Sequence, residues 1–325
     1  MRGYLHALNW VVLVGFFNAF FALFPALDIH PIIVICQSMI IAGIALLALA
    51  GPGRLSSETI KSPHTWYYGI CYMGATALFI AALNYISATQ MSLLIKAVVP
   101  ISFLISALFF KRHMDLTGWV GFWLVIIGLA VVSLEIPKEH FGIVIFIVIV
   151  FALFETFQML VSDIHSTSNK AIGSVKESMR VTGLVLAVTA VMFIILCIFG
   201  AIGVEYAGLE HGLLPSFQDI LNPWSFGLAL IYGLLGLSFT RYSEFVSTRE
   251  IKFEIFLALT SLSVITTLVF EWSLSALGYI EMKEISLIEI CGGGIIIIGS
   301  INAVYARALA KKRQEMEQRF EEAVK

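Results

Sequence analysis

Lys96 lies inside "SLLIKAVVPISFLISALFF" (Ser92–Phe110), a run that is otherwise apolar or small, and Pro100 follows four residues later. An ammonium near a bilayer centre costs roughly 2.5–3.5 kcal/mol even on the lenient insertion scale. A charge held at that cost can attract an anionic group, on a solute or on a nearby carboxylate. Pro100 deletes a backbone hydrogen bond, frees a carbonyl and makes a bend that can hinge a gate. In a second apolar run, Glu155, Gln158 and Ser162 recur at i, i+3 and i+7 and so form one polar stripe. Glu155 is the candidate proton carrier. Asn18, Gln37 and Asn84 place one mid-span amide in each of three further runs, and Arg241, Tyr242 and Glu244 cluster in another.

Polar side chains inside a membrane span face the protein interior, because lipid cannot satisfy them. Lys96, Glu155, Gln158, Asn18, Gln37, Asn84 and Tyr242 are therefore the candidate substrate-binding residues, with Pro100, Arg241 and Glu244 as candidate gate or hinge. The plainer alternatives are structural. Lys96 can pair with Glu155, Arg241 with Glu244 one turn on, and the single amides can hold helices together at about 0.6 kcal/mol each.

Catalysis has little to work with. The seven histidines fall in loops or at span ends, and no H-E-x-x-H, G-x-S-x-G or phosphate-binding loop occurs. Cys36, Cys71, Cys197 and Cys291 sit in four separate apolar segments without metal-ligand spacing. The expectation is a protein that is not an enzyme, with no catalytic residues, metal or cofactor.

The elements that must position these residues follow from composition. The chain is 59% hydrophobic and 13% charged, against about 25% charged in soluble domains, so it cannot cover a water-facing surface. Its net charge of −2 offers no basic field for nucleic acid. A crossing helix needs about 20 mainly apolar residues. Ten segments qualify: 5–25, 31–50, 66–86, 90–110, 116–136, 142–162, 180–203, 224–246, 252–274 and 286–309. The first is read as a retained helix rather than a signal peptide. With the N-terminus inside, Arg2, Arg54, Lys61, Lys111, Arg112, Lys170, Lys176, Arg180, Arg249 and Lys252 fall in cytoplasmic segments, whereas the opposite loops hold only Lys138 and Lys283. This positive-inside bias puts both termini in the cytoplasm.

The chain also repeats itself. "FIAALNYISATQMSLLIKAVVPISFLISALFFKR" (79–112) aligns without gaps on "FTRYSEFVSTREIKFEIFLALTSLSVITTLVFEW" (239–272), matching Phe79/Phe239, Ser87/Ser247 and Phe110/Phe270. "DLTGWVGFWLVIIG" (115–128) aligns on "SLIEICGGGIIIIG" (286–299) through Gly121/Gly292 and Gly128/Gly299. Five spans per half is an odd number, so the halves insert upside down relative to each other. The expected fold class is an all-α integral membrane protein of ten transmembrane helices in two inverted five-helix repeats. The repeats are 1–137 and 138–310, with a charged tail at 311–325. Secondary transporters commonly use this plan, with the solute site at the repeat interface.

These stretches, with "LTGWVGFWLVIIGL" and "SLIEICGGGIIIIGS", resemble the drug/metabolite transporter superfamily, EamA-type. The resemblance implies a central cavity lined by helices 1–4 and 6–9, with helices 5 and 10 peripheral. Lys96 and Pro100 are also similar to a pair in the organophosphate and nucleotide-sugar branch. Two positions depart from the pattern. The acid expected after helix 4 is replaced by Lys111, Arg112 or His113. In the second half Thr260 stands for the proline, and the matching acid is either Glu271 or Glu284. The implied function is a permease for a small polar or charged metabolite; an antiporter of the phosphorylated branch, a lipid flippase and a membrane-embedded enzyme are the alternatives. Expected partners are the metabolite, the lipid bilayer, a proton or counter-substrate, and a second copy of the chain as a homodimer. The absence of any N-x-S/T sequon and of a targeting extension points to a bacterial inner membrane.

Overall fold

The computed structural model describes residues 2–23, 29–51, 53, 55–110, 116–171, 173–207, 214–280 and 285–303. The tail 311–325, Glu284 and the Lys111–His113 stretch lie outside these residues. Long helices fall where the ten apolar segments predict them. They are α1 (Arg2–Phe21), α2 (Pro31–Ala50), α3 (Pro63–Ala82), α4 (from Ala88), α5 (Leu116–Ser133), α6 (Phe141–Ile164), α7 (Val175–Ala207), α8 (Pro223–Ile251), α9 (from Phe253) and α10 (Leu287–Ala303). Proline occupies the first turn of α2, α3 and α8, where its missing N–H has no helical partner to lose. Ser87 and Gln90 form a reciprocal capping box that starts α4.

The protein is an all-α, multi-pass integral membrane protein. Among the described residues, eight helices are long and apolar enough to cross a bilayer: α1, α2 and α4–α9. Helix α3 has the length but begins Pro-His-Thr-Trp-Tyr-Tyr, and α10 is described over 17 residues. The surface agrees with lipid contact. Leu108, Trp123, Phe146, Phe199 and Leu235 face outward, while Lys96, Gln158, Arg241 and Glu244 are buried. Charge inside and apolar rings outside is the reverse of a water-soluble fold.

Three helices are broken where the interior needs it. Helix α4 runs as Ala88–Leu94, a tightened 3-10 turn at Ile95–Ala97, then Val98–Phe110. Pro100 has no N–H for the carbonyl four residues back, that of Lys96, and the chain tightens at that turn. Helix α9 has a similar break, Phe253–Leu259, Thr260–Leu262 and Ser263–Ala276, without any proline. Helix α8 widens into a π-helical stretch at Tyr232–Leu237. Helices α8 and α9 are joined by Lys252 alone, at φ 74°.

Packing uses two different chemistries. Helix α2 lies on α7 and α5 on α10 through glycine. A Cβ at Gly43 would meet the Gly183 carbonyl oxygen at 2.8 Å, and one at Gly183 would meet that of Gly43 at 2.9 Å. The Gly121 position stands against Gly299, and Gly128 against Gly292, where a Cβ would meet the facing carbonyl oxygens at 2.7–3.2 Å. Such close backbone approach is how membrane helices associate without a hydrophobic driving force. Cys36 and Cys197 are both free. By contrast, hydroxyls, amides and charges cross between α1 and α8 and between α4 and α9; α3 packs along α6, and α1 along α9 through Gly15 and Thr266.

The glycine contacts yield a direct expectation. Gly121→Val or Gly299→Val drives a side chain into backbone and should destabilise the protein by about 1–3 kcal/mol. Gly142→Ala, where a Cβ would meet nothing within 4 Å, should leave the melting temperature unchanged in detergent. Equal melting of all three variants would contradict the α5–α10 contact.

Candidate functional site

Six helices leave a cavity half-way along the bundle, with about 70 Å³ open to water-sized solutes. Its polar lining is Asn18 of α1, Tyr72 and Thr76 of α3, Lys96 of α4, Glu155 of α6, Tyr232, Thr240 and Arg241 of α8, and Thr260 and Ser263 of α9. Trp10, Phe17, Phe21, Phe79 and Phe151 supply the apolar walls. The lining residues come from α1, α3, α4, α6, α8 and α9; α2 and α7 stand behind, locked together through Gly43 and Gly183. The resemblance implies that helices 2 and 7 line the cavity too, but α2 and α7, like α5 and α10, contribute no lining residue among the described residues.

Lys96 is 2% exposed. Its ammonium donates to the Thr260 carbonyl at 2.8 Å and to Ser263 Oγ at 3.1 Å. Thr260 opens the 3-10 turn of α9, at the position that matches Pro100 in the repeat alignment. The lysine of one broken helix therefore satisfies a carbonyl at the break of the other. No ion pair joins Lys96 to Glu155 among the described residues, although both line the cavity. Asn18 Nδ2 donates to Ser92 Oγ at 3.2 Å, and Ser92 Oγ to Thr267 Oγ1 at 3.3 Å, which continues the α1–α4–α9 contact.

The second charged group centres on Glu244, which is fully buried. Its carboxylate pairs with the Arg241 guanidinium, accepts from Tyr68 Oη at 2.9 Å and accepts from Gln158 Nε2 at 3.1 Å. The guanidinium lies over the Tyr72 ring, 4.4 Å from its centroid, a cation–π geometry. Tyr72 and Tyr232 hydrogen-bond through their hydroxyls at 3.1 Å. Arg241 thus points inward rather than toward an interface, and the helical i, i+3 spacing that allowed a pair with Glu244 is used.

Three expected site residues lie elsewhere. Gln37 donates to the Ile220 carbonyl at 3.3 Å, outside the cavity. Asn84 is not a mid-span amide: α3 ends at Ala82, and Asn84 is exposed in the following turn, bonded to the Ala81 carbonyl. Tyr242 follows Arg241 by about 100° of helical rotation and faces a different groove. There its hydroxyl accepts from Arg2 at 3.3 Å and its ring meets His6 edge-on. Of the two acids considered after the second break, Glu271 accepts from the Thr89 N–H at 3.0 Å and from the Thr89 hydroxyl, capping the first turn of α4. The residues that sequence reasoning missed are Tyr68, Tyr72 and Tyr232. Tyr72 and Tyr232 are 160 residues apart, the same offset that relates Phe79 to Phe239, so extending that alignment by seven residues would have found the pair.

Comparison with known proteins adds two findings. The model of the EamA-like transporter family matches residues 1–134. The chain is similar to that family over its first five long helices. One solved structure, described as "Crystal structure of protein", shares 18% identity and a TM-score of 0.55, covering 91% of this chain and 98% of that one. That likeness concerns the fold. No curated protein matches.

The buried pair can be tested by stability. Arg241→Leu strands the Glu244 carboxylate and should cost about 3–5 kcal/mol, whereas Arg241→Leu with Glu244→Leu should recover most of that loss. Thermal unfolding in detergent reads the difference; a double variant no more stable than the single one would contradict the pair.

Proposed function

We propose that the chain is a secondary transporter that moves a small polar or charged organic metabolite by alternating access. The observation that carries this reading is the mid-bundle cavity where Lys96, Glu155 and Arg241 converge from α4, α6 and α8 among aromatic walls. Ionisable groups at membrane depth are costly and line solute or ion paths by default. The match of the first 134 residues to a transporter family supports the same class. The narrow cavity favours a small solute over a nucleotide sugar. Glu155 is the candidate for coupling to protons, and exchange against a counter-substrate is the alternative.

Two contacts support an inverted repeat of 1–137 and 138–310. The alignment equates Gly121 with Gly292 and Gly128 with Gly299, and the contact of Gly121 with Gly299 becomes, on that exchange, the contact of Gly292 with Gly128. Tyr72 and Tyr232 are mutual equivalents that touch, as residues beside a twofold axis do. Lys61, Lys170, Lys176, Arg180, Arg249 and Lys252 share the end of the bundle that carries Arg2, so the positive-inside rule assigns that end to the cytoplasm, in keeping with a bacterial inner membrane.

A thermal-shift screen of the purified full chain against charged metabolites tests the reading. A solute at 100 times its dissociation constant adds about 2.7 kcal/mol of stability. The stabilising solute should then be accumulated by proteoliposomes under an imposed gradient. Glu155→Gln should abolish accumulation driven by a pH gradient while solute exchange continues; unchanged dependence on that gradient would remove Glu155 from the mechanism.

A further inference from the structure

Below the cavity, toward the Arg2 end, three polar stripes face one another. Helix α3 contributes Tyr72, Tyr68 and Thr65, helix α6 contributes Gln158 and Ser162 and then His165, and helix α8 contributes Arg241, Glu244, Thr248 and Arg249. Layer follows layer. Glu244 holds Tyr68 and Gln158; Ser162 Oγ donates to Thr248 Oγ1 at 3.0 Å; Arg249 donates to the Ser168 carbonyl at 2.7 Å; Lys252 reaches Asp163 at 3.3 Å. Each of these bonds runs from α8 or the residue after it to α3, to α6 or to the segment after α6.

On either side of this seam the helices are tied to different neighbours. Helix α3 is joined to the segment after α6 by His165, whose Nε2 hydrogen-bonds with Thr65 Oγ1 at 3.2 Å, and the short helix Ser56–Lys61 before α3 is joined to it by Thr59 with Thr167 at 3.2 Å. Helix α1 is tied to α8, through Asn9 to Ser243 at 3.0 Å and Ser247 to the Gly3 carbonyl at 2.9 Å. The α3–α6 pair and the α1–α8 pair are thus separate units that meet along the polar file.

The geometry points to this file, from Glu244 and Gln158 through Ser162 and Thr248 to Arg249, as the closed half of the solute path, lined by side chains that water and solute contact when the two helix pairs part. The assignment rests on the transporter reading above. Three observations carry it. The α2–α7 and α5–α10 contacts set backbone against backbone at glycine, and Arg180 of α7 reaches the carbonyls of Ala50 and Gly51 at the end of α2; the α8 seam instead buries a charged pair and its partners inside the bundle. Among the described residues, Gln158 Oε1, Arg241 Nε and Arg249 Nε are buried without a hydrogen-bond partner along this file, and a seam that opens to water satisfies them. The file is continuous with the cavity, since Arg241 belongs to both.

The experiment places single cysteines at Ser162 and Thr248, in a chain whose four native cysteines are replaced, and treats inside-out vesicles with a membrane-impermeant methanethiosulfonate. Leu153→Cys and Phe157→Cys, on the lipid-facing side of α6, serve as water-free controls. Ser162→Cys and Thr248→Cys should label slowly, and about tenfold faster once Tyr68→Phe and Gln158→Leu loosen the grip on Glu244. These substitutions leave the Arg241–Glu244 pair intact, so a folded protein is expected; Gln158→Leu alone is the milder second background. Labelling no faster than the lipid-facing controls in every background overturns the assignment. Vesicles carrying the single cysteines with Tyr68 and Gln158 unchanged, assayed for flux of the solute chosen by thermal shift, separate the two claims. Flux with a seam that never labels sinks the seam alone; a labelled seam without flux sinks the transporter reading.

Discussion

A hydrocarbon interior offers no water, so each polar group brought into it must be met by another group of the protein. The bond from Lys96 to the Thr260 carbonyl answers that constraint at the most demanding place. Pro100 forces a tightened turn in α4, Thr260 opens a matching turn in α9, and the lysine between them fills the carbonyl that the second break presents. Charge and bend occur together in α4 because the bend exposes backbone and the charge crosses to its neighbour's backbone. The same contact brings α4 and α9 to the edge of the cavity, with Asn18 and Ser92 extending it toward α1.

From that constraint follows a division of labour among the helix contacts. Glycine contacts hold α2 on α7 and α5 on α10, and they have no alternative arrangement to offer, because backbone already meets backbone. Side-chain contacts among α3, α6 and α8 have one: Glu244, Ser162, Thr248 and Arg249 can exchange each partner for water. A bundle made of fixed pairs and one exchangeable seam can move as units, and motion of that kind is what access from alternate sides requires. Arg241 stands where cavity and seam meet, paired to Glu244 on one side and laid on Tyr72 on the other.

Much of this could be read from the residues in order. The apolar runs and the prolines at 31, 63 and 223 located the helices, since span length and first-turn proline are local properties. Glu155, Gln158 and Ser162 could be aligned on one face of α6 from spacing alone, and the Arg241–Glu244 pair from i, i+3. What spacing could not give was the direction of a face relative to other helices. Tyr242 and Arg241 are adjacent in sequence and look into different spaces. Asn84 was misplaced because α3 stops at Ala82 in a turn without glycine or proline to announce it. Tyr68, Tyr72 and Tyr232 were passed over because tyrosine in an apolar run reads as packing, and their role depends on Glu244 and Arg241 from far along the chain.

The central claim is that the α3–α6 and α1–α8 pairs are separate bodies joined by a breakable polar seam. Electron–electron distance measurement between spin labels at Tyr4 of α1 and Ser166 after α6, both exposed, tests it most directly in lipid nanodiscs. The account predicts a short and a longer distance in exchange, with the longer one enriched when Glu244 loses its Tyr68 and Gln158 partners. A single distance, unchanged by loss of those partners in a protein that still transports, would contradict it.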